Sequence, residues 1–411
     1  MAAEAIMSTY SRMSVAFERG DGSWLYDTDG NKYLDALCGI AVCGLGHTHP
    51  AVTQAIHDQA SKVIHTSNLY TIPNQQQLAE RLVQISGMDN VFFGNSGAEA
   101  NEAAIKLARR YGHSVKNIDN PTIIVMENAF HGRTMATLSA TGNRSAQAGF
   151  EPLVSGFVRA PYDDIDAVKT IAANNPNVVA ILVEPIQGES GIQIPAPDYL
   201  NQLREICDQH QWLLMLDEVQ SGNGRSGKYF AYQHNGILPD VVTTAKGLGN
   251  GVPIGACLAR GAAAQVLIAG THGSTYGGNP LSCAAALAVV NTIMDENLCE
   301  RAAELGAKIA AGFADKIGHA DYVKEIRHKG LLIAIELNEA GTELAVLAKV
   351  KGILLNITGG GKVVRLLPPL TMTNDEADLL VNTLSQIIRI YAADERNNKE
   401  HKRRSQERRE K

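Results

Sequence analysis

Four short runs in the middle of the chain are apolar throughout instead of alternating: 121–125 (PTIIV), 178–183 (VVAILV), 213–216 (LLML) and 241–244 (VVTT). Runs of this length without a polar face predict strands covered on both sides, as in a parallel sheet. Helical patterns lie between them. Over 98–111, Ala100, Ala103, Ala104, Leu107, Ala108 and Tyr111 keep the i, i+3, i+4, i+7 spacing of a single buried stripe. From Cys283 the texture changes: an alanine-rich helical pattern leads to strand patterns at 331–337 and 363–367, then a closing helix over 375–391. The expected class is α/β, with a mostly parallel sheet flanked by helices over 51–282 and a smaller α+β domain over 283–394. Residues 1–50 are expected to pack with the smaller domain. The tail over 395–411 is rich in lysine and arginine but interleaved with glutamate, and reads as a solvated, frayed terminus.

Composition narrows the function classes. With 45% apolar and 19% charged residues the chain can bury a large core, which excludes disorder throughout. A net charge of −6 supplies no positive field for nucleic acid or an anionic membrane. Apolar stretches such as 283–290 fall well short of the roughly 20 residues that cross a bilayer. The start, MAAEAIMSTYSRMS, lacks a basic region followed by a long apolar run, so no secretory leader is expected. Six scattered cysteines without a CxxC pair suit reduced thiols in the cytoplasm.

One motif misleads. Gly222-Asn223-Gly224-Arg225-Ser226-Gly227 matches the dinucleotide fingerprint, yet the following segment is too short for the required helix. A stronger set begins at Asp217, an acid at the carboxyl end of a buried strand. Lys246 follows another buried strand, with Gly247 and Gly249 behind it. Taken alone, the two could form a structural ion pair. The turn Asn95-Ser96-Gly97-Ala98 enters the 98–111 helix with small residues and a hydroxyl, which is either an anion site or an ordinary N-cap. A phosphate site, an aldehyde-capturing lysine and an acid for a ring nitrogen together describe pyridoxal phosphate.

At this point the sequence resembles the class III aminotransferases, the ω-amino-acid branch of the fold-type I pyridoxal-phosphate transferases. The matching stretches run from 10 to 390: GLGHTHP (44–50), FFGNSGAEANEAAIKLAR (92–109), NAFHGRT (128–134), EPIQGESG (184–191), LDEVQSGNGRSG (216–227), TTAKGLGNGVPIG (243–255) and HGSTYGGNP (272–280). The resemblance implies that Lys246 binds the cofactor covalently and shuttles a proton, while Asp217 pairs with the ring nitrogen. It puts Val219 and Phe130 on the two ring faces, Gln220 at the phenolic oxygen, and Ser96, Gly97 and Ala98 at the phosphate. Glu218 falls in the same cofactor stretch. Where this chain has Ala98 the family usually has threonine. Thr275 is implied to complete the phosphate cup of a neighbouring subunit, in a homodimer whose sites are shared across the interface, with Ser274 beside it on the substrate side.

For substrate, the resemblance assigns Arg133 to the donor carboxylate and the distal carboxylate of 2-oxoglutarate. It assigns Arg365 to the α-carboxylate of glutamate, with Glu189 as a removable shield over it. The guanidinium fork suits both tasks. The implied reaction moves the δ-amino group of N2-acetyl-L-ornithine to 2-oxoglutarate. Rivals on the same machinery use ornithine, 4-aminobutyrate, succinylornithine or succinyldiaminopimelate; an aminomutase is a more distant one. Isoleucine at 40, where ornithine enzymes carry a tyrosine, argues against free ornithine. His47 and His49 read as part of a packed turn, not as metal ligands, and no metal is expected.

Overall fold

The computed structural model describes residues 5–407, with side chains to residue 394. An N-terminal sheet is built from β1 (Phe17–Asp21), β2 (Trp24–Asp27) and β3 (Lys32–Asp35). The central sheet holds β4 (Asn90–Gly94), β5 (Thr122–Met126), β6 (Phe157–Ala160), β7 (Val178–Val183), β8 (Leu213–Asp217), β9 (Val241–Thr244) and β10 (Gly255–Ala259). The C-terminal region adds β11 (Val323–Lys329), β12 (Leu332–Leu337), β13 (Ile353–Leu354), β14 (Asn356–Thr358) and β15 (Val363–Leu366).

The central sheet has the order β4-β10-β9-β8-β7-β5-β6. Neighbours from β9 to β6 run parallel, and β10 alone lies antiparallel to both its neighbours. β7, β8 and β9 are buried at every position, as their unbroken apolar runs require. The helix Gly97–Ser114 packs one face with the apolar stripe anticipated from its spacing, burying Ala100, Ala103, Ala104, Leu107, Ala108 and Tyr111. Because the parallel strands all end on one edge, their carboxyl ends bring Asp217 (after β8) and Lys246 (after β9) into one crevice.

The alanine-rich stretch after Cys283 is two helices, Pro280–Asp295 and Leu298–Ile317. The second packs on the β11-β12-β15-β14 sheet. It comes close because of one glycine: a Cβ on Gly306 would lie 1.9 Å from the Gly330 carbonyl in the β11–β12 turn. β3 pairs in parallel with β13, and Ser23 and Trp24 donate to Glu376 of the last helix, which ties the N-terminal sheet to the C-terminal region. That last helix extends into the charged tail. It runs from Asn374 to Glu407, so the segment expected to fray is helical as far as 407, while 408–411 lie outside the described residues. No glycine or proline follows Tyr391, and the alanine, glutamate, arginine, lysine and glutamine there are helix formers. No helix among the described residues is long and apolar enough to cross a membrane.

Candidate active site

Lys246 opens a short 3-10 turn directly after β9, with a left-handed backbone (φ +43°) that a lysine rarely adopts. Asn223 holds the turn from behind, donating to Thr244 Oγ1 at 2.9 Å and to the Ala245 carbonyl at 3.0 Å. The Lys246 amine has no hydrogen bond or ion pair among the described residues. Burial pulls its pKa below the ordinary value; Asp217 opposes that fall and Arg365 adds to it. The simple Asp217–Lys246 ion pair that the sequence left open is therefore not formed.

Asp217 is 4% exposed and takes its donors from elsewhere. His131 Nδ1 lies 2.8 Å and Asn101 Nδ2 2.7 Å from its Oδ2, and the Val219 N–H donates to Oδ1 at 3.0 Å. Since a carboxylate only accepts, His131 must carry its proton on Nδ1 here. Neither Asn101 nor His131 was singled out from the sequence, because an asparagine inside a helix and a histidine in a loop carry no local signal for this pairing.

The N-terminus of the helix Gly97–Ser114 faces the same crevice. Ser96 caps it, its hydroxyl accepting from the Glu99 N–H at 3.2 Å, and Glu99 reaches back to the Asn95 N–H at 2.5 Å. The N–H groups of Gly97 and Ala98 have no acceptor among the described residues. Gly97 is required by space: a Cβ would sit 2.7 Å from Val219 Cγ1, the side chain expected on one ring face. Phe130, for the other face, is half-buried and fixed through its N–H to Glu184 Oε1 at 2.9 Å. Glu184 also takes the Gly188 N–H at 3.2 Å, and burial with Asp217 nearby pushes its pKa up.

Arg365 is fully buried on β15. Its Nη1 donates to the Gly188 carbonyl at 3.0 Å and to Glu189 Oε2 at 2.9 Å, and lies 3.5 Å from Gln220 Oε1. Its Nε donates to Asn356, and Nη2 is buried without a partner. Arg133 is exposed, with its guanidinium carbon 5.5 Å from the Phe130 ring centre. A cleft of about 1060 Å³, lined by Phe130, Arg144, Arg159, Glu189, Thr358 and Gly360 among others, adjoins both. The residues fit pyridoxal phosphate: an unpaired buried amine, two unclaimed N–H groups at a helix start, a glycine where a side chain would collide, and a strand-end acid held by three donors.

Glu218, Gln220 and Ser274 make contacts within this chain. Glu218, one residue past the end of β8, turns its side chain into its own loop. Its carboxylate accepts from Ser221 Oγ at 2.5 Å and the Tyr232 N–H at 2.9 Å, tying down the 218–232 loop. Gln220 turns its side-chain oxygen toward Arg365. Ser274 contacts Asn95 of its own chain, the two side chains 3.3 Å apart, whereas Thr275 is exposed. The Gly222–Gly227 loop is followed only by the short 3-10 turn Ala231–His234, so it has no helix to offer a dinucleotide. Its Arg225 instead donates to the carbonyls of Leu331 and Pro368, docking the loop on the C-terminal region. His47 donates from Nε2 to Asp35 Oδ2 at 2.8 Å; burial disfavours its cation, but the Asp35 bond and the Cys43 neighbour outweigh burial and raise its pKa to about 9.

Burial pushes Glu218 from its ordinary 4.5 to about 7. The folded chain therefore binds a proton there that the unfolded chain releases near 4.5. That advantage is complete below 4.5 and disappears as pH rises through 7, a change of about 3 kcal/mol for this group. Urea unfolding of Glu218→Gln should lose that part of the slope between pH 4.5 and 7. A variant with the full wild-type slope would contradict the assignment.

The chain matches the family model for class-III aminotransferases over residues 6–388. It is 55% identical over 383 residues to an acetylornithine aminotransferase of Nitrosomonas europaea, covering 93% of this chain and 97% of that one. An enzyme of the same name from Agrobacterium fabrum is 46% identical, over 92% and 94% of the two chains. Among solved structures, an ornithine aminotransferase from Toxoplasma gondii superposes with a TM-score of 0.91 at 34% identity, covering 96% and 94%. An acetylornithine aminotransferase from Elizabethkingia anophelis gives 0.84 at 35% identity, covering 93% and 95%. The strand-end acid, the lysine after β9 and the open helix start thus sit on a shared architecture, and the chain belongs to the class-III aminotransferases.

Proposed function

We propose that this aminotransferase moves the δ-amino group of N2-acetyl-L-ornithine to 2-oxoglutarate, giving N-acetyl-L-glutamate 5-semialdehyde and L-glutamate, a step of arginine biosynthesis in the cytoplasm. The relatives named acetylornithine aminotransferase support this substrate, and six free thiols suit the compartment. When bound, pyridoxal phosphate supplies an aldehyde that condenses with amines and a ring that withdraws electrons. Lys246 Nζ, its pKa lowered by burial, takes the proton from the substrate carbon bearing the amine and returns it on the far side of the transfer. Asp217 would accept from the ring N–H, Phe130 and Val219 would cover the two faces, and the Ser96, Gly97 and Ala98 turn would bind the phosphate.

The observation that carries the substrate assignment is the Glu189–Arg365 ion pair. Acetylornithine reacts at the amine distant from its carboxylate, whereas glutamate reacts beside its α-carboxylate. A guanidinium permanently open near the reacting carbon would favour glutamate. Glu189, nearly half exposed at 46%, shields the buried Arg365 and can swing out when the α-carboxylate competes for the fork. Arg133, exposed beside Phe130, is left for the acetylornithine carboxylate. Free ornithine is disfavoured at Ile40, whose apolar side chain offers nothing to a charged α-amino acid end; the carbonyl of the next residue, Ala41, lies 3.7 Å from where a Cβ on Gly247 would stand.

Single-turnover absorbance measurements separate the two half-reactions. Glu189→Ala should speed the glutamate half-reaction about threefold, the modest gain of releasing a half-exposed ion pair. Arg365→Ala should slow it about 100-fold while leaving the acetylornithine half-reaction within about threefold, because a buried carboxylate partner is lost from one substrate only. Equal losses in both halves would sink the gate, and a faster turnover of free ornithine or 4-aminobutyrate would reassign the donor.

A homodimer with shared sites completes the reading. Val63, Ile64, Leu69, Tyr70 and Tyr276 are large and exposed, and Asn68 ties their segment to the 274–277 loop through bonds to the Ser274 and Gly277 carbonyls. An apolar patch there suits a subunit interface that would carry Thr275 to the partner's phosphate.

A further inference from the structure

We infer that Asn101 is a positioning residue for Asp217, an amide bridge that ties the phosphate-binding helix to the strand-end acid and to the strand that carries the lysine. This rests on the reading of Asp217 as the partner of the ring nitrogen. Asn101 lies on the helix Gly97–Ser114, four residues after Gly97, or about 6 Å along its axis. It is 1% exposed, on a face otherwise lined with alanine and leucine, where an uncompensated amide would be costly.

Its bonds are fully specified. Nδ2 donates to Asp217 Oδ2 at 2.7 Å and to the His131 carbonyl at 2.8 Å, both groups that can only accept. Oδ1 accepts from Thr243 Oγ1 at 2.7 Å, and Thr243 is fully buried on β9, three residues before Lys246. The flipped amide would set oxygen against the Asp217 carboxylate and the His131 carbonyl, so Thr243 and the two acceptors together fix its orientation. One residue thus joins the helix whose start holds the phosphate, the loop that carries Phe130, the strand leading to Lys246, and the acid itself. A polar residue needed only for packing would not require all four connections.

The apo chain tests this by its affinity for pyridoxal phosphate and for the 1-deaza analogue, in which CH replaces the ring nitrogen, both followed by fluorescence titration. The wild type should prefer pyridoxal phosphate by at least about tenfold, the value of one charge-assisted hydrogen bond. Asn101→Ala should cut that preference several-fold while leaving affinity for the analogue within about threefold, since only the contact to nitrogen depends on a well-held Asp217. Thr243→Val keeps the shape, removes only the hydroxyl that orients the amide, and should lower the preference by a smaller factor; it serves also if Asn101→Ala does not fold. A structural role alone would weaken both ligands together and leave the preference intact, which overturns the inference. Asp217→Asn separates the two readings. If it abolishes the preference while the Asn101 and Thr243 variants retain it, only the role of Asn101 is wrong; if the wild type shows no preference, the ring-nitrogen reading of Asp217 falls with it.

Discussion

Lys246→Ala should fold and yet lose transamination by at least about 10⁴-fold, the combined loss of a covalent anchor and the proton carrier. The fold survives because the lysine contributes no hydrogen bond or ion pair to its surroundings, and because Asn223 holds the turn through the backbone at Ala245 and the side chain of Thr244. Removing the side chain also removes a buried amine that is costly to charge. Alanine inherits the left-handed φ of +43°, so a small fall in the urea midpoint is expected, far below what the loss of a core residue produces. The assignment is read chemically as well as kinetically. Borohydride treatment of the wild type loaded with pyridoxal phosphate should attach the cofactor to the peptide containing Lys246, and peptide mapping of the alanine variant should show no label there. Label on a different lysine in the wild type would refute the role.

Much of this site was legible because its signals are local. The unbroken apolar runs at β7, β8 and β9 announce strands buried on both faces, and the acid and lysine follow at their ends. Ser96 followed by Glu99 announces a helix start, and the small residues around it leave its N–H groups open. What stayed hidden depends on distance in the chain. Asn101 meets Asp217 across 116 positions and Thr243 across 142, so nothing near it in sequence marks its partners. β10 is built of small residues, Gly255-Ala-Cys-Leu-Ala259, and its antiparallel insertion between β4 and β9 has no periodic signature. Glu218 likewise carries no local mark of its contacts, Ser221 and the Tyr232 N–H in its own loop. In the tail, helix propensity and the absence of a breaker carry the last helix to Glu407.

Asp217→Asn should slow both half-reactions by about 10³-fold while the affinity for pyridoxal phosphate falls within about tenfold. The geometry explains the asymmetry. In the proposed site the phosphate would be held at the helix start by Gly97 and Ala98 and the aldehyde by Lys246, none of which bonds to Asp217, so most of the binding should be spared. The acid, however, receives three N–H donors: Asn101 and His131 on Oδ2, and the Val219 backbone on Oδ1. An asparagine there must turn its NH₂ toward one of those sides, setting donor against donor in a site only 4% exposed, at a local cost of about 1–3 kcal/mol. More important for rate, a neutral amide cannot hold the ring nitrogen protonated, so the charge that develops when Lys246 takes the substrate proton has no sink. Because both halves pass through that proton transfer, both should fall by the same factor, unlike Arg365→Ala, which touches one substrate alone. Stopped-flow absorbance with acetylornithine and with glutamate measures the two rates, and equilibrium titration of the apo variant measures the affinity. Near-normal rates would reduce Asp217 to a structural cap for Asn101 and His131; a collapse of affinity equal to that of the rates would make it chiefly a binding residue.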